Sequence, residues 1–459
     1  MADNTFRRVN RFAAASWQGS HARWRLHVLR AADPERCNTV MTLPAGATLI
    51  GRDPEGTGEK LVVDDRAMSR THATLIVRGP AKRVEVIDHN SINGTWVSGV
   101  RVSESVWASD GDVLRFGGMV AVLEADGGLL IDAPDATESI PGLSEVARRV
   151  RSQLEMASGD DLPVMILGEA DTGKERAGVM LHKIGMRWGE FVHVDIAEFS
   201  EDQLGPELFG EVADPSTGEP ERPGAFRRAH NGTLLIEGIE HLTPLHQVWL
   251  LRAVDERLVQ PLGGDDYVAV DVRVITASTA DIRRLVQGRF HQGLLRLLRS
   301  HEIHMSPVHH RRPDLIALAD IVCPPDGVST WAELLDGDAT EILLLHDWPT
   351  NLRELAEVMT WIKEHMQGSV ATIESLPRPL VEGVEARLGD DDSDLPPAIA
   401  PPVKVSRAES RPDGDVLRDL MRRHGGNLGA VARELGAHRR QVYRWLDYAG
   451  VPRDFGAEP

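Results

Sequence analysis

One segment confines the fold of this chain more than any other. The apolar run PVMIL (163–167) leads directly into GEADTGKE (168–175), and a helical pattern follows. In a G-x-x-x-x-G-K turn the glycines permit a tight bend, and successive backbone N–H groups converge with Lys174 at a helix N-terminus, where negative charge is favoured. The turn keeps this shape only between a buried strand and a helix packed on it. FVHVDIAE, GTLLIEGI and DVRVITAS are further buried-type strands, again separated by helical stretches. Strands alternating with helices predict a parallel α/β sheet across residues 138–370.

With 459 residues, the chain is long enough for about three domains, and both flanks of the α/β segment read differently. Residues 24–126 hold short β-rich runs (WRLHVLR, HATLIVRG, RVEVID, MVAVLEA) broken by Gly, Pro, Asn and Asp, the spacing of an all-β sandwich. Three polar clusters interrupt them: Gly51-Arg52, Ser69-Arg70-Thr71-His72, and Asn90 to Thr95. Each alone is ordinary turn chemistry. Loops gathered at one end of a sandwich can nevertheless direct arginines, a hydroxyl and amides at one phosphate. A seam is expected near 127–142, and 388–414, rich in Pro, Asp and Ser, reads as a linker.

Beyond that linker the pattern predicts three helices over 415–452. Val416, Leu417, Leu420 and Met421 form the apolar face of the first. Asn427 caps the second, with Leu428, Val431, Ala432 and Leu435 at helical spacing; Val442, Trp445 and Leu446 are the buried side of the third. A short Gly-containing turn joining the last two helices is the helix-turn-helix arrangement. It turns His438, Arg439, Arg440, Gln441 and Arg444 outward as candidate DNA contacts. Which of them meet phosphates and which meet bases stays open.

Charge agrees with a local nucleic-acid contact. The whole chain carries −19, with 51 basic against 70 acidic residues. From Arg411 onward nine arginines face seven acids, leaving +2 on the tail and −21 on the rest. A general polyanion binder is therefore excluded. Only Cys37 and Cys323 occur, far apart, which excludes a cysteine zinc site or a disulfide framework. No apolar run approaches the roughly 18 residues of a membrane span, and the first 20 residues lack the apolar core of a signal peptide. A cytoplasmic protein without membrane attachment is expected.

The succession GR, SRTH and NGTWVSG resembles the forkhead-associated (FHA) domain. That resemblance implies a phosphothreonine-reading sandwich and a phosphothreonine-bearing partner. Arg52, Ser69 and Arg70 would contact phosphate and Asn93 the peptide backbone, while His72, Gly94 and Thr95 would shape the loops. Ser98 stands where the family usually has Asn. GEADTGKE, FVHVDIAEF, ELFGEV, RPGAFRRAHNGTLLIEGIEHL, DVRVITAST and HDWPTNLREL resemble, in family order, the AAA+ domain of bacterial enhancer-binding proteins, the activators of sigma-54 RNA polymerase. GGNLGAVARELGAHRRQVYRWL resembles their Fis-type DNA-binding tail. The fold class implied is a multidomain chain: FHA-like β-sandwich, α/β P-loop core with a helical lid, and an all-α helix-turn-helix.

The second resemblance implies ATP and magnesium as ligands and a homo-oligomer. Gly168, Thr172, Gly173, Lys174, Glu175, Glu237 and Arg353 fall at its nucleotide positions, with Glu237 the candidate magnesium group. The departures fall on the chemistry. Asp171 replaces a glycine of the phosphate loop, and the strand that ends in Asp-Glu in the family ends here in Glu237-Gly238. The two arginine fingers fall on His291 and Leu297, with Arg296 one residue off, and the Asn sensor is Thr279. The loop that grips the sigma factor keeps only Thr217-Gly218, with Pro215 and Ser216 replacing Ala and Phe. The expectation is a phosphopeptide-responsive DNA-binding regulator whose core does not hydrolyse ATP, with nucleotide binding left open. The rivals are an active sigma-54 RNA polymerase activator and a phosphopeptide-dependent scaffold.

Overall fold

The N-terminal strands alternate in burial where one face meets solvent, and lose that alternation where both faces are covered. In this computed structural model, the residues described are 23–78, 83–127, 140–213, 220–279, 282–288, 290–327, 330–366, 370–390, 412–424, 428–435, 442, 445, 446, 449 and 451. Eleven strands form the sandwich: β1 (Arg23–Arg30), β2 (Thr39–Leu43), β3 (Gly46–Gly51), β4 (Glu59–Val62), β5 (Ala73–Val77), β6 (Val84–Asp88), β7 (Thr95–Val97), β8 (Val100–Arg101), β9 (Ser105–Ala108), β10 (Val113–Phe116) and β11 (Met119–Asp126). One sheet runs β2-β1-β11-β10-β7-β8 and the other β4-β3-β5-β6-β9. Trp24, Leu26, Leu75, Leu114, Phe116 and Leu123 fill the space between them.

The next stretch builds the α/β layer. Its elements are α1 (Glu145–Ser158), β12 (Val164–Leu167), α2 (Lys174–Ile184), β13 (Phe191–Asp195), α3 (Glu201–Phe209), α4 (Ala225–Arg228), β14 (Thr233–Glu237), α5 (Pro244–Asp255), β15 (Leu258–Val259), β16 (Val268–Ala269), β17 (Arg273–Ser278), α6 (Ile282–Gln287), α7 (Gln292–Leu298) and β18 (His301–His304). The main sheet is wholly parallel in the order β13-β14-β17-β12-β18. The four expected strands are present. The fifth, HEIH, is short and half polar, so its apolar signal is weak. A helical lid follows: α8 (Leu315–Val322), α9 (Trp331–Leu334), α10 (Gly337–Leu345) and α11 (Asn351–His365).

The sandwich is welded to this lid. Val113, Val120 and Val122 are fully buried yet lie outside the sandwich core, because their faces of β10 and β11 are covered by α10. In the same contact Arg115 Nε lies 2.6 Å from Glu341 Oε2 and its NH1 3.2 Å from Asp338 Oδ1, with the guanidinium 4.8 Å over the Trp96 ring. Arg30 donates to the Leu335 carbonyl at 3.0 Å, and Arg312 donates to that of Gly111 at 3.1 Å. Residues up to Pro377 accordingly form one compact unit.

The second unit starts at Arg378 and holds α12 (Arg378–Asp390), α13 (Gly414–Arg423) and α14 (Leu428–Leu435). The expected linker start at 388 is corrected, since α12 continues to Asp390. Leu417, Leu420, Met421, Val431, Ala432, Val442, Leu446 and Val451 make a small core of their own. Val416 is corrected too: it is 46% exposed, because at about 100° per residue it falls roughly a quarter-turn from the centre of that face. Asn427 lies outside the described residues. Among the described residues, no helix is long and apolar enough to cross a membrane.

Candidate functional site

Gly51 explains why the sandwich loops converge. A Cβ there would lie 1.9 Å from the Arg70 carbonyl oxygen, so only glycine lets β3 pass so close. The Arg52 and Asp53 N–H groups then donate to the Ser69 and Arg70 carbonyls, each at 3.0 Å. The third loop is tied to the same point. The Ile92 N–H donates to Ser69 Oγ at 3.2 Å, and Asn93 Nδ2 donates to the Ala67 carbonyl at 2.7 Å. Arg52, Ser69, Arg70 and Asn93 thus stand together, with both guanidinium groups exposed and free of ion pairs among the described residues. The Asn93 side chain is exposed, with its Nδ2 engaged in that bond.

Buried His72 holds this arrangement from below. Its Nδ1 accepts from the Ser69 N–H at 3.2 Å, so the proton sits on Nε2, which donates to the Gly94 carbonyl at 3.2 Å. Burial lowers its pKa and keeps the ring neutral. Asp88 braces the third loop by accepting from Ser91 Oγ at 2.5 Å and Thr95 Oγ1 at 2.6 Å. Ser98 occupies a left-handed position (φ 47°) before Gly99, a turn that usually prefers Asn. Its hydroxyl compensates by donating to Asp112 at 2.8 Å and accepting from the Val113 N–H at 3.2 Å.

In the α/β layer β12 delivers the phosphate loop, and Gly173 (φ 97°) turns it into α2. Gly168, Thr172, Gly173 and Lys174 stand as the spacing predicts, but their groups are engaged internally. Lys174 Nζ donates to the Glu169 carbonyl at 2.9 Å and lies 3.4 Å from Glu237 Oε1. The other Glu237 oxygen lies 3.4 Å from His193 Nε2. Their hydrogen bond is the main cause that pushes the His193 pKa up and the Glu237 pKa down. Glu175, exposed on α2, is 3.8 Å from His193 Nδ1. Arg353, at the start of α11, is 3.1 Å from Asp171 Oδ1.

The hydrolytic positions are equally altered. Gly238 has no side chain to orient a water. His291 caps α7, its Nδ1 accepting the Leu294 N–H at 3.1 Å; Leu297 is half-buried and Arg296 exposed. Thr279 donates to Glu240 Oε1 at 2.8 Å. Burial alone would raise the Glu240 carboxyl, but hydrogen bonds from its own backbone, Ser278 and Thr279 outweigh it and lower the pKa. His193 and Glu240 escaped the sequence reading; a histidine in the otherwise apolar FVHVD strand was the available signal. Pro215, Ser216, Thr217 and Gly218 lie outside the described residues.

The space beside the phosphate loop is too small for a nucleotide in this conformation. Beside the phosphate loop, Ile140, Pro141, Thr172, Gly173, Arg311 and Leu352 line a cavity of about 20 Å³. That is room for about one water, against the roughly 300 Å³ or more of an ordinary ligand pocket. Both Glu237 oxygens already face cations.

Of the candidate DNA contacts, His438, Arg439, Arg440, Gln441 and Arg444 all lie outside the described residues. Val442 and Leu446 are buried and Trp445 half-buried, as the periodicity predicts.

Comparison with known proteins assigns all three modules. The sigma-54 interaction domain family matches residues 140–304, the FHA domain family residues 48–117, and the Fis family of bacterial regulatory proteins residues 413–447. The transcriptional regulatory protein ZraR of Klebsiella oxytoca is 32% identical over 323 residues, covering 68% of this chain and 69% of that one. The anaerobic nitric oxide reductase transcription regulator NorR of Salmonella heidelberg is 30% identical over 320 residues, covering 68% and 62%. Among solved structures, NtrX from Brucella abortus in complex with ATP is 23% identical with a TM-score of 0.46, covering 68% and 69%. With an FHA domain, a sigma-54 interaction domain and a Fis-type helix-turn-helix in succession, the chain belongs to the family of sigma-54-dependent transcriptional regulators.

Proposed function

We propose that this protein is a phosphopeptide-responsive, DNA-binding transcriptional regulator whose AAA+ core does not turn over ATP. One contrast supports the reading. The sandwich brings exposed Arg52, Arg70 and Asn93 together with half-buried Ser69, groups suited to an anion, whereas Gly238, His291 and Leu297 lack the groups that hydrolysis requires. The partner is a phosphothreonine-bearing protein. DNA is taken by Arg439, Arg440 and Arg444 with His438 and Gln441, in a homo-oligomer that brings several tails together. Contact with sigma-54 polymerase remains open to the same assembly, but without the force of a hydrolytic cycle.

Titration of the full chain with a phosphothreonine peptide library tests the first part. Phosphopeptides bind and their unphosphorylated forms do not. Arg52→Ala weakens binding by roughly ten- to a hundred-fold, the scale of a charge-assisted bond at 1.5–3 kcal/mol. Equal affinity for phosphorylated and plain peptides would refute it.

A gel shift on the protein's own promoter region tests the second. Replacing Arg439 and Arg444 together by Ala abolishes the shift, and wild-type affinity falls steeply with salt because the acidic body repels phosphate. An unchanged shift in the double variant would favour the scaffold reading.

A further inference from the structure

Asp171 is a strange residue for its place. It stands on the phosphate loop with a left-handed backbone (φ 56°), a conformation that favours glycine, and its carboxylate is where a bound phosphate would meet like charge. Instead of an anion, that carboxylate faces the lid: Arg353 NH2 donates to Asp171 Oδ1 at 3.1 Å. The backbone joins in, since the Leu352 N–H donates to the Asp171 carbonyl at 3.0 Å.

The neighbouring contacts close the same seam. Asn351, 1% exposed, donates to Glu169 Oε2 and to the Ala170 carbonyl, both at 3.0 Å. Its Oδ1 accepts the Val308 N–H at 2.9 Å. Buried Arg311 donates to the Thr172 carbonyl at 2.9 Å. Four consecutive loop residues, Glu169 to Thr172, are therefore held by lid and pre-lid groups. Beside this seam Thr172, Gly173, Arg311 and Leu352 line a cavity of only about 20 Å³.

We propose that Asp171 is an internal substitute for nucleotide phosphate, its carboxylate holding Arg353 so that the lid stays latched on the phosphate loop with the nucleotide cavity collapsed. This rests on the reading of a non-hydrolysing core and goes beyond it, because it makes the closed lid independent of any ligand. The exposed ion pair is not strong by itself, since Arg353 is 68% exposed. Its effect is to add to the buried Asn351 and Arg311 bonds while Asp171 repels a competing phosphate.

The test is titration of the full chain with a fluorescent ATP analogue and magnesium, for wild type, Asp171→Gly and Arg353→Ala. Glycine suits the left-handed position, so Asp171→Gly keeps the fold. Wild type shows no saturable binding up to millimolar analogue, and Asp171→Gly gains at least about ten-fold by losing both repulsion and latch. Without nucleotide, the amides at the start of α11 exchange with solvent roughly two- to five-fold faster in Arg353→Ala, the worth of an exposed ion pair. Three results overturn the latch: wild type binding as tightly as Asp171→Gly, neither protein binding, or exchange unchanged in Arg353→Ala. Wild-type binding without phosphate release would sink the latch yet leave the non-hydrolysing reading standing.

Discussion

Steady-state phosphate release by the full chain will not exceed that of its Lys174→Ala variant at any protein concentration. Hydrolysis needs an oriented water, a well-held metal and a cation on the developing charge. Gly238 removes the first, and the pairing of Glu237 with Lys174 and His193 occupies the second. The third is missing because His291 is a helix cap and Leu297 is apolar. Loss of an arginine finger alone costs about 10³–10⁵ in rate for nucleotide hydrolases, and such losses do not simply multiply. Exposed Arg296 is the nearest candidate cation that a neighbouring subunit could receive. Release that rises above the Lys174→Ala background as concentration increases would therefore restore the active-motor reading.

Arg115→Met will destabilise the first unit by about 3–5 kcal/mol, the range for breaking a buried ion pair by removing one partner. Glu341 is fully buried, and the substitution removes the guanidinium that lies 2.6 Å from its carboxylate at the sandwich–lid contact. Urea unfolding followed by tryptophan fluorescence reads the loss, since Trp96 lies against Arg115 and Trp331 and Trp348 lie in the lid. Adding Glu341→Leu recovers most of it, because an apolar pair of similar volume needs no compensation. A single-variant cost below about 1 kcal/mol would show that water reaches Glu341 in solution.

Much of the architecture was legible because local patterns carry it. Alternating and continuous apolar runs located the sandwich and four of the five parallel strands, and glycine-bearing motifs located the phosphate loop and the three loops gathered at one end of the sandwich. Their reasons are short-range: Gly51 is required by a backbone approach two loops away, but the motif around it is written in consecutive residues. HEIH was missed because a strand at the sheet edge needs few apolar residues. Val416 was misplaced because a periodic pattern leaves the edges of a helical face undecided.

The sequence by itself determined the three modules, their order and the groups absent from the hydrolytic positions, since a missing carboxylate or arginine is missing in any conformation. Tertiary structure alone decided how the remaining groups are used. The run MVAVLEA looks the same whether its outer face meets water or a helix, and only packing revealed the lid against it. Asp171 reads in sequence as a defect of a phosphate loop. Its pairing with Arg353 joins residues 182 positions apart, and charge acts through distance in space, which no local pattern encodes.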